Sequence, residues 1–240
     1  MPLEGYGYEY NEDLDISYVL GPNHKVLLSE ASSGFQSLVP LYIVSKNLSR
    51  FEFGYGQSFT DTLSIKQSSR RNQEIAEYVQ DHLLPSGEMA SGIQAINKRY
   101  ETKRFINIVE EPEQNLFPNS QHLILNSLLE FNNKREENKL IMTTHSPYLI
   151  NYLTLAVKAE MVKQKLSTKM SWDKLAQIIP RESTIKAEDL VIYEMNETDG
   201  TIKKLGDYKG LPSDENDLNY ELEYSNEIFA QLQEIEKGWR

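Results

Sequence analysis

Two adjacent carboxylates, Glu110 and Glu111, close the short run Phe105-Ile106-Asn107-Ile108-Val109, and Pro112 follows them. The run is mostly apolar and β-favouring, and proline cannot donate to a ladder, so a buried strand is predicted to stop there. A strand that ends in paired acids puts charge at the carboxyl edge of a sheet, where open α/β folds bind ligands. Of two such acids, one can hold a divalent cation while the other polarises a water for attack on a phosphoryl group. The plainer alternative is a solvated loop after a strand, since carboxylates are mostly exposed.

His145 is a second candidate. Lys139-Leu140-Ile141-Met142-Thr143 reads as a strand, and Thr144-His145-Ser146-Pro147 comes next. Ser146 as N-cap with Pro147 at the first helical position predicts a helix through Tyr148–Lys163. His145 then sits at a strand-to-helix junction, on the same sheet edge as the acids if the strands are parallel; a structural histidine is the alternative. A third candidate is Ser29-Glu30-Ala31-Ser32-Ser33-Gly34-Phe35-Gln36-Ser37. Ser32 or Ser33 can cap a helix carrying the apolar run Leu38 to Val44, and Gly34 lets a ligand approach the free N–H groups at its start. An ordinary capped helix fits the same residues. Pro40 predicts a kink or a tightened first turn.

The elements that must hold these groups fit one large domain or two small ones. The chain has 240 residues, 39% hydrophobic and 25% charged, without cysteine. Disulfides, zinc–thiolate sites and thiol nucleophiles are therefore excluded. No apolar run approaches the roughly 18 residues of a membrane span, and the first residues do not resemble a signal peptide, so a cytoplasmic protein is expected. A net charge of −11 argues against a broadly basic nucleic-acid surface. The local clusters Lys66/Arg70/Arg71, Lys98/Arg99/Lys103/Arg104 and Lys158/Lys163/Lys165/Lys169 read as solvated helix faces. A short strand is expected at Ile16–Leu20, a turn at Gly21-Pro22-Asn23 and a return strand at His24–Leu28. A strand and loop are expected at Phe51–Tyr55 and Ser58–Ile65, and helices at Asn72–Leu84, Met89–Tyr100, Pro118–Phe131 and Ser171–Ile179. The tail should add a strand over Asp189–Glu194, a partner near Thr201–Leu205 and an acidic helix over Asp217–Lys237.

Taken in order, ASSGFQS, VEEPEQNLFP and TTHSPYL resemble the signature, Walker B with D-loop, and switch motifs of ABC-type ATPases. The likeness is closer to their SMC-like and RecF-like relatives, and closest to the AAA-family ATPases grouped with overcoming-lysogenisation-defect proteins. By that resemblance, Glu110 takes the Mg²⁺ position and Glu111 is the catalytic carboxylate. His145 reaches the γ-phosphate, and Asn115 and Leu116 lie in the D-loop. Ser32, Ser33, Gly34 and Gln36 contact ATP bound by the opposite protomer of a homodimer. The implied fold is α/β and P-loop NTPase-like, with helices on the faces of a mainly parallel sheet containing Lys25–Leu28, Phe105–Val109 and Leu140–Thr143. Residues 24–50 hold the signature helix, 51–104 a mostly helical insertion, 105–165 the Walker B and switch core, and 166–240 a hairpin and acidic helix.

The chain departs from that pattern in two places. Glu110 stands where aspartate is usual. No glycine is followed by lysine, so the P-loop G-x-x-x-x-G-K-[ST] is missing from these residues. The expectation is the C-terminal half of an ATPase, completed by a Walker A lobe upstream or in trans, with DNA or an effector protein as a possible further partner. A non-catalytic interaction module that keeps the ATPase fold is the alternative. A metal-dependent hydrolase built from Glu110, Glu111 and His145 without ATP is a third reading.

Overall fold

The computed structural model describes residues 1–49, 64–81, 86–100 and 104–238. The chain opens with three strands, β1 (Gly7–Asn11), β2 (Ile16–Leu20) and β3 (Lys25–Leu27), paired antiparallel in that order. Lys25–Leu28 was expected both as a return strand and in the parallel sheet; among the described residues its strand pairs with β2, antiparallel. It follows the tight turn at Gly21, whose N–H donates to the His24 carbonyl, and a turn that short returns the chain antiparallel. After one 3₁₀ turn comes α1 (Ser33–Ser49), which carries Pro40 on an exposed position. Next are α2 (Ile65–Asp81), which starts before the expected Asn72, and α3 (Ser86–Arg99). The strand expected at Phe51–Tyr55, and all of Ser58–Ile65 but its last two residues, lie outside the described residues.

The centre is a parallel pair, β4 (Ile106–Glu110) and β5 (Lys139–Thr143), with Glu110 opposite Thr143. Between them runs α4 (Pro118–Asn132), and after them α5 (Pro147–Lys163), both starting with proline at the first helical position. The core sits on one side of this pair. Val109 packs with Leu38 of α1 and with Ile124 and Leu128 of α4. Leu125 and Leu129 turn the other flank of α4 onto Leu149 and Leu153 of α5. Leu140 and Met142 of β5 touch both groups, so α1, α4 and α5 form a single layer.

That arrangement corrects two expectations. Among the described residues the helices cover one face of the sheet, and β4 is half-buried. Its opposite face leaves Ile106 at 47% and Ile108 at 71% exposure, with Ile141 of β5 at 50%. Side chains alternate across a strand, so Glu110 shares this uncovered face with Ile106 and Ile108.

Beyond α5 lie α6 (Lys169–Ile178), capped by the Thr168 hydroxyl, and two antiparallel pairs, β6 (Tyr193–Met195) with β7 (Ile202–Lys204) and β8 (Asp207–Tyr208) with β9 (Leu211–Pro212). The strand expected from Asp189 starts later, because Ala187–Asp189 forms a 3₁₀ turn. The chain closes with α7 (Asp217–Gly238), which buries no residue. Arg71, expected on a solvated face, is buried and donates to Asn72 Oδ1.

Candidate functional site

β4 ends with Glu110, and Glu111 begins the loop, but the ladder runs one bond further. The Glu111 N–H donates to the Thr143 carbonyl at 3.0 Å. Glu111 does this at a φ of +44°, a left-handed conformation that costs a non-glycine residue about 1–2 kcal/mol. Asn115 repeats the feature at +60°. Between them the chain coils tightly: Gln114 N–H donates to the Glu111 carbonyl and Leu116 N–H to the Glu113 carbonyl, both at 2.9 Å. Pro112 is buried at the start of this coil. Strain of this kind concentrates where a side chain must be held in a set direction.

The loop after β5 lies against it. His145 Nε2 stands 3.7 Å from Glu111 Oε1, with 84% and 44% of the two side chains exposed. The pair is ionic only when the imidazole is protonated, and so much solvent makes it a weak tether. The firmer attachment is Glu113, whose Oε1 accepts from both the Thr144 hydroxyl and the His145 N–H at 2.8 Å. A second tie runs through Gln121 of α4, which donates to the Leu116 carbonyl at 3.0 Å and accepts from the Ser146 hydroxyl at 2.6 Å. Ser146 occupies the N-cap position as expected, yet its hydroxyl caps no N–H because Gln121 takes it.

The start of α1 meets the same loop. A Cβ on Gly34 would stand 2.8 Å from the Asn115 carbonyl oxygen, so only glycine lets the helix come this close. Asn115 Nδ2 donates to Ser37 Oγ at 3.3 Å. The Gln36 side chain turns back to its own backbone, donating to the Ser29 and Ala31 carbonyls. Ser32 lies just outside the helix and Ser33 is its first residue, both exposed.

Three sequence regions thus converge on one edge. Glu110 and Glu111, His145, and the Ser33–Gly34 helix start with Asn115 and Leu116 belong to segments that touch. Glu113, Gln121, Thr144 and Ser37 hold them together and carried no signal of their own in the pattern of acids and histidine. Glu113 was nearest to legible, since only a proline separates it from the acid pair. Among the described residues no three His, Asp or Glu side chains converge as a metal-binding group.

Among the described residues no helix is long and apolar enough to cross a membrane. No curated protein and no solved structure matches the chain. An α/β fold with a small parallel sheet and helices packed on it is compatible with an ATPase domain. The sequence model of the AAA ATPase domain family matches residues 2–150, more than half of the chain, and the protein belongs to that family.

Proposed function

We propose that this chain is the Walker B, signature and switch portion of an ABC-type, SMC-like ATPase, completed by a lobe that carries the P-loop. The observation that carries this reading is the convergence of the Ser33–Gly34 helix start, the 111–117 loop and the 144–146 loop on one sheet edge, which the Gly34–Asn115 contact and the Glu113 hydrogen bonds secure. The uncovered face supports the need for a second lobe. Parallel sheets are almost always covered on both faces, and here Ile106, Ile108 and Ile141 are bare on the face that also bears Glu110. A lobe seated there brings its phosphate-binding loop next to the acid pair.

In this reading Glu110 is the protein's ligand to Mg²⁺. That ion keeps several waters and commonly takes one or two carboxylates together with substrate phosphates, so a single exposed carboxylate at the sheet edge suits it. Held there by Glu110, the ion would neutralise charge on the phosphates. Glu111 orients the water that attacks the γ-phosphate, and His145 donates to its oxygens as charge develops. The helix start at Ser33–Gly34, with Ser32 and Gln36 beside it, faces ATP held by a second protomer, so that ATP closes a homodimer and hydrolysis opens it. An effector protein or DNA then responds to that motion.

The test is ATP binding and turnover by the chain alone and mixed with the P-loop lobe encoded upstream or in a partner chain. The expected result is turnover only in the mixture and its loss in Glu111→Gln, with ATP binding retained. Absence of ATP binding even in the mixture would make the chain a non-catalytic interaction module that keeps the fold.

A further inference from the structure

Glu113 takes no part in the proposed chemistry of the acid pair and His145. Its Oε1 accepts two hydrogen bonds, from the Thr144 hydroxyl and the His145 N–H, both at 2.8 Å. Its Oε2 is buried and has no hydrogen-bond partner among the described residues. A carboxylate with one oxygen left unsatisfied away from water costs stability, and a neutral amide would serve Oε1's acceptor role with less desolvation. Stability alone therefore does not explain a glutamate here. What the charge adds is strength, because hydrogen bonds to an ionised acceptor are roughly twice as strong as neutral ones.

The geometry around it gives that strength a purpose. The side chain of His145 is 84% exposed and meets Glu111 at 3.7 Å, so the ring end is held only weakly among the described residues. Its direction is set from the backbone, and Glu113 is what grips that backbone. Glu113 in turn belongs to the coil that ends at Asn115, through the Leu116 N–H bond to its carbonyl. Asn115 is pressed against Gly34 and bonded to Ser37. A continuous path of contacts runs from the start of α1 to His145 within one protomer.

We propose that Glu113 is a positioning residue that locks the 144–146 loop to the 111–117 loop, so that His145 stays beside Glu111 and follows any movement of the start of α1. This deepens the ATPase reading and rests on it for its catalytic consequence, while the attachment itself does not. In that role Glu113 makes one protomer's site responsive to the nucleotide that its own α1 contacts in the partner.

The experiment is amide hydrogen exchange by NMR on the full chain without nucleotide, comparing wild type, Glu113→Gln and Glu113→Ala. In Glu113→Ala the His145 N–H should exchange about ten- to a hundredfold faster, as expected for loss of a bond to a charged group, while amides within α4 stay protected. Glu113→Gln keeps an acceptor oxygen and should fall between. Unchanged exchange at His145 in Glu113→Ala overturns the proposal, and protection lost throughout α4 would reveal a folding defect, in which case Glu113→Gln decides. With the P-loop lobe added, both variants should lower kcat while KM for ATP stays within about twofold, the mark of an interaction made in the transition state. An unchanged kcat beside accelerated exchange also overturns it. If wild type with the lobe binds no ATP, the ATPase reading falls on its own, and the exchange result still stands for the attachment.

Discussion

On one face of β4 and β5, Val109, Leu140 and Met142 pack beneath α1, α4 and α5; on the other, Ile106, Ile108 and Ile141 meet solvent. The residues are chemically alike and lie one position apart on the same two strands. Full burial of each isoleucine would contribute about 1.5–3 kcal/mol, so the bare face withholds several kcal/mol from this chain. The comparison teaches where the molecule keeps its stability and where it keeps its capacity to join something. Core energy lies around α4, while the face that carries Glu110 is free to be covered.

The largest expected effect sets the faces against each other. Leu128→Ala removes a side chain at 1% exposure and should cost about 2–5 kcal/mol in urea unfolding. Ile108→Ala should change the same measurement by about 0.5 kcal/mol or less. In a pull-down with the P-loop lobe the ranking should reverse, with Ile108→Ala weakening association. Equal costs in unfolding would show that the two faces are not different after all.

A smaller effect concerns the edge where the motifs meet. Replacing glycine by alanine inside a helix ordinarily gains up to about 1 kcal/mol. Gly34→Ala should instead lose a similar amount, because its Cβ meets the Asn115 carbonyl oxygen and one of the two backbones must move. Denaturation measures the sign, and a gain would mean that α1 and the 111–117 loop are not in firm contact.

The smallest effects are in pH and belong to the covered side. Burial lowers the His122 imidazole below its ordinary 6.5, where it stacks on Tyr152 with ring centroids 4.3 Å apart. The unfolded chain binds that proton more readily, so this part of the stability is complete above 6.5 and declines as the pH falls below it. Burial pushes the Glu160 carboxyl up, but hydrogen bonds from Lys163 and Thr184 and the Lys163 charge outweigh it and leave it below 4.5. Its contribution is present above 4.5 and is lost as pH falls through the folded value. His122→Phe keeps the ring contact and should flatten the decline just below 6.5 while leaving the steeper acid limb. Unfolding midpoints across that range read both limbs, and an unaltered upper limb would remove His122 as its source.

Much of this was legible in the sequence, and the misses have specific causes. The prolines at 118 and 147 marked the starts of α4 and α5 because a missing N–H is harmless there. The apolar runs gave β4 and β5, and their parallel pairing follows from the helix between them. The turn at Gly21-Pro22-Asn23 marked the return strand that pairs with β2, whereas the further placement of Lys25–Leu28 in the parallel sheet was not met, because so short a turn returns the chain antiparallel. Ser146 read as a cap from its position, whereas its hydroxyl answers to Gln121, 25 residues away. Of the candidate site, the acids and the histidine were visible as types at strand ends. Glu113 and Gln121 were not, because their role is to accept or donate across a gap that exists only once the two loops lie side by side.

By itself, the sequence determined α1, β4, α4, β5 and α5 with their starts, and that acids, a histidine and a glycine helix start fall at their ends. Backbone chemistry within a few residues is enough for that: a proline's fixed φ, a β-branched run, a serine before an apolar stripe. Only the tertiary structure decided that α1, α4 and α5 share one face, that the other face stays bare with Glu110 on it, and that Glu113 holds His145. Those outcomes depend on pairs distant along the chain. A strand's period says that its side chains alternate, but which side is covered depends on what packs against it.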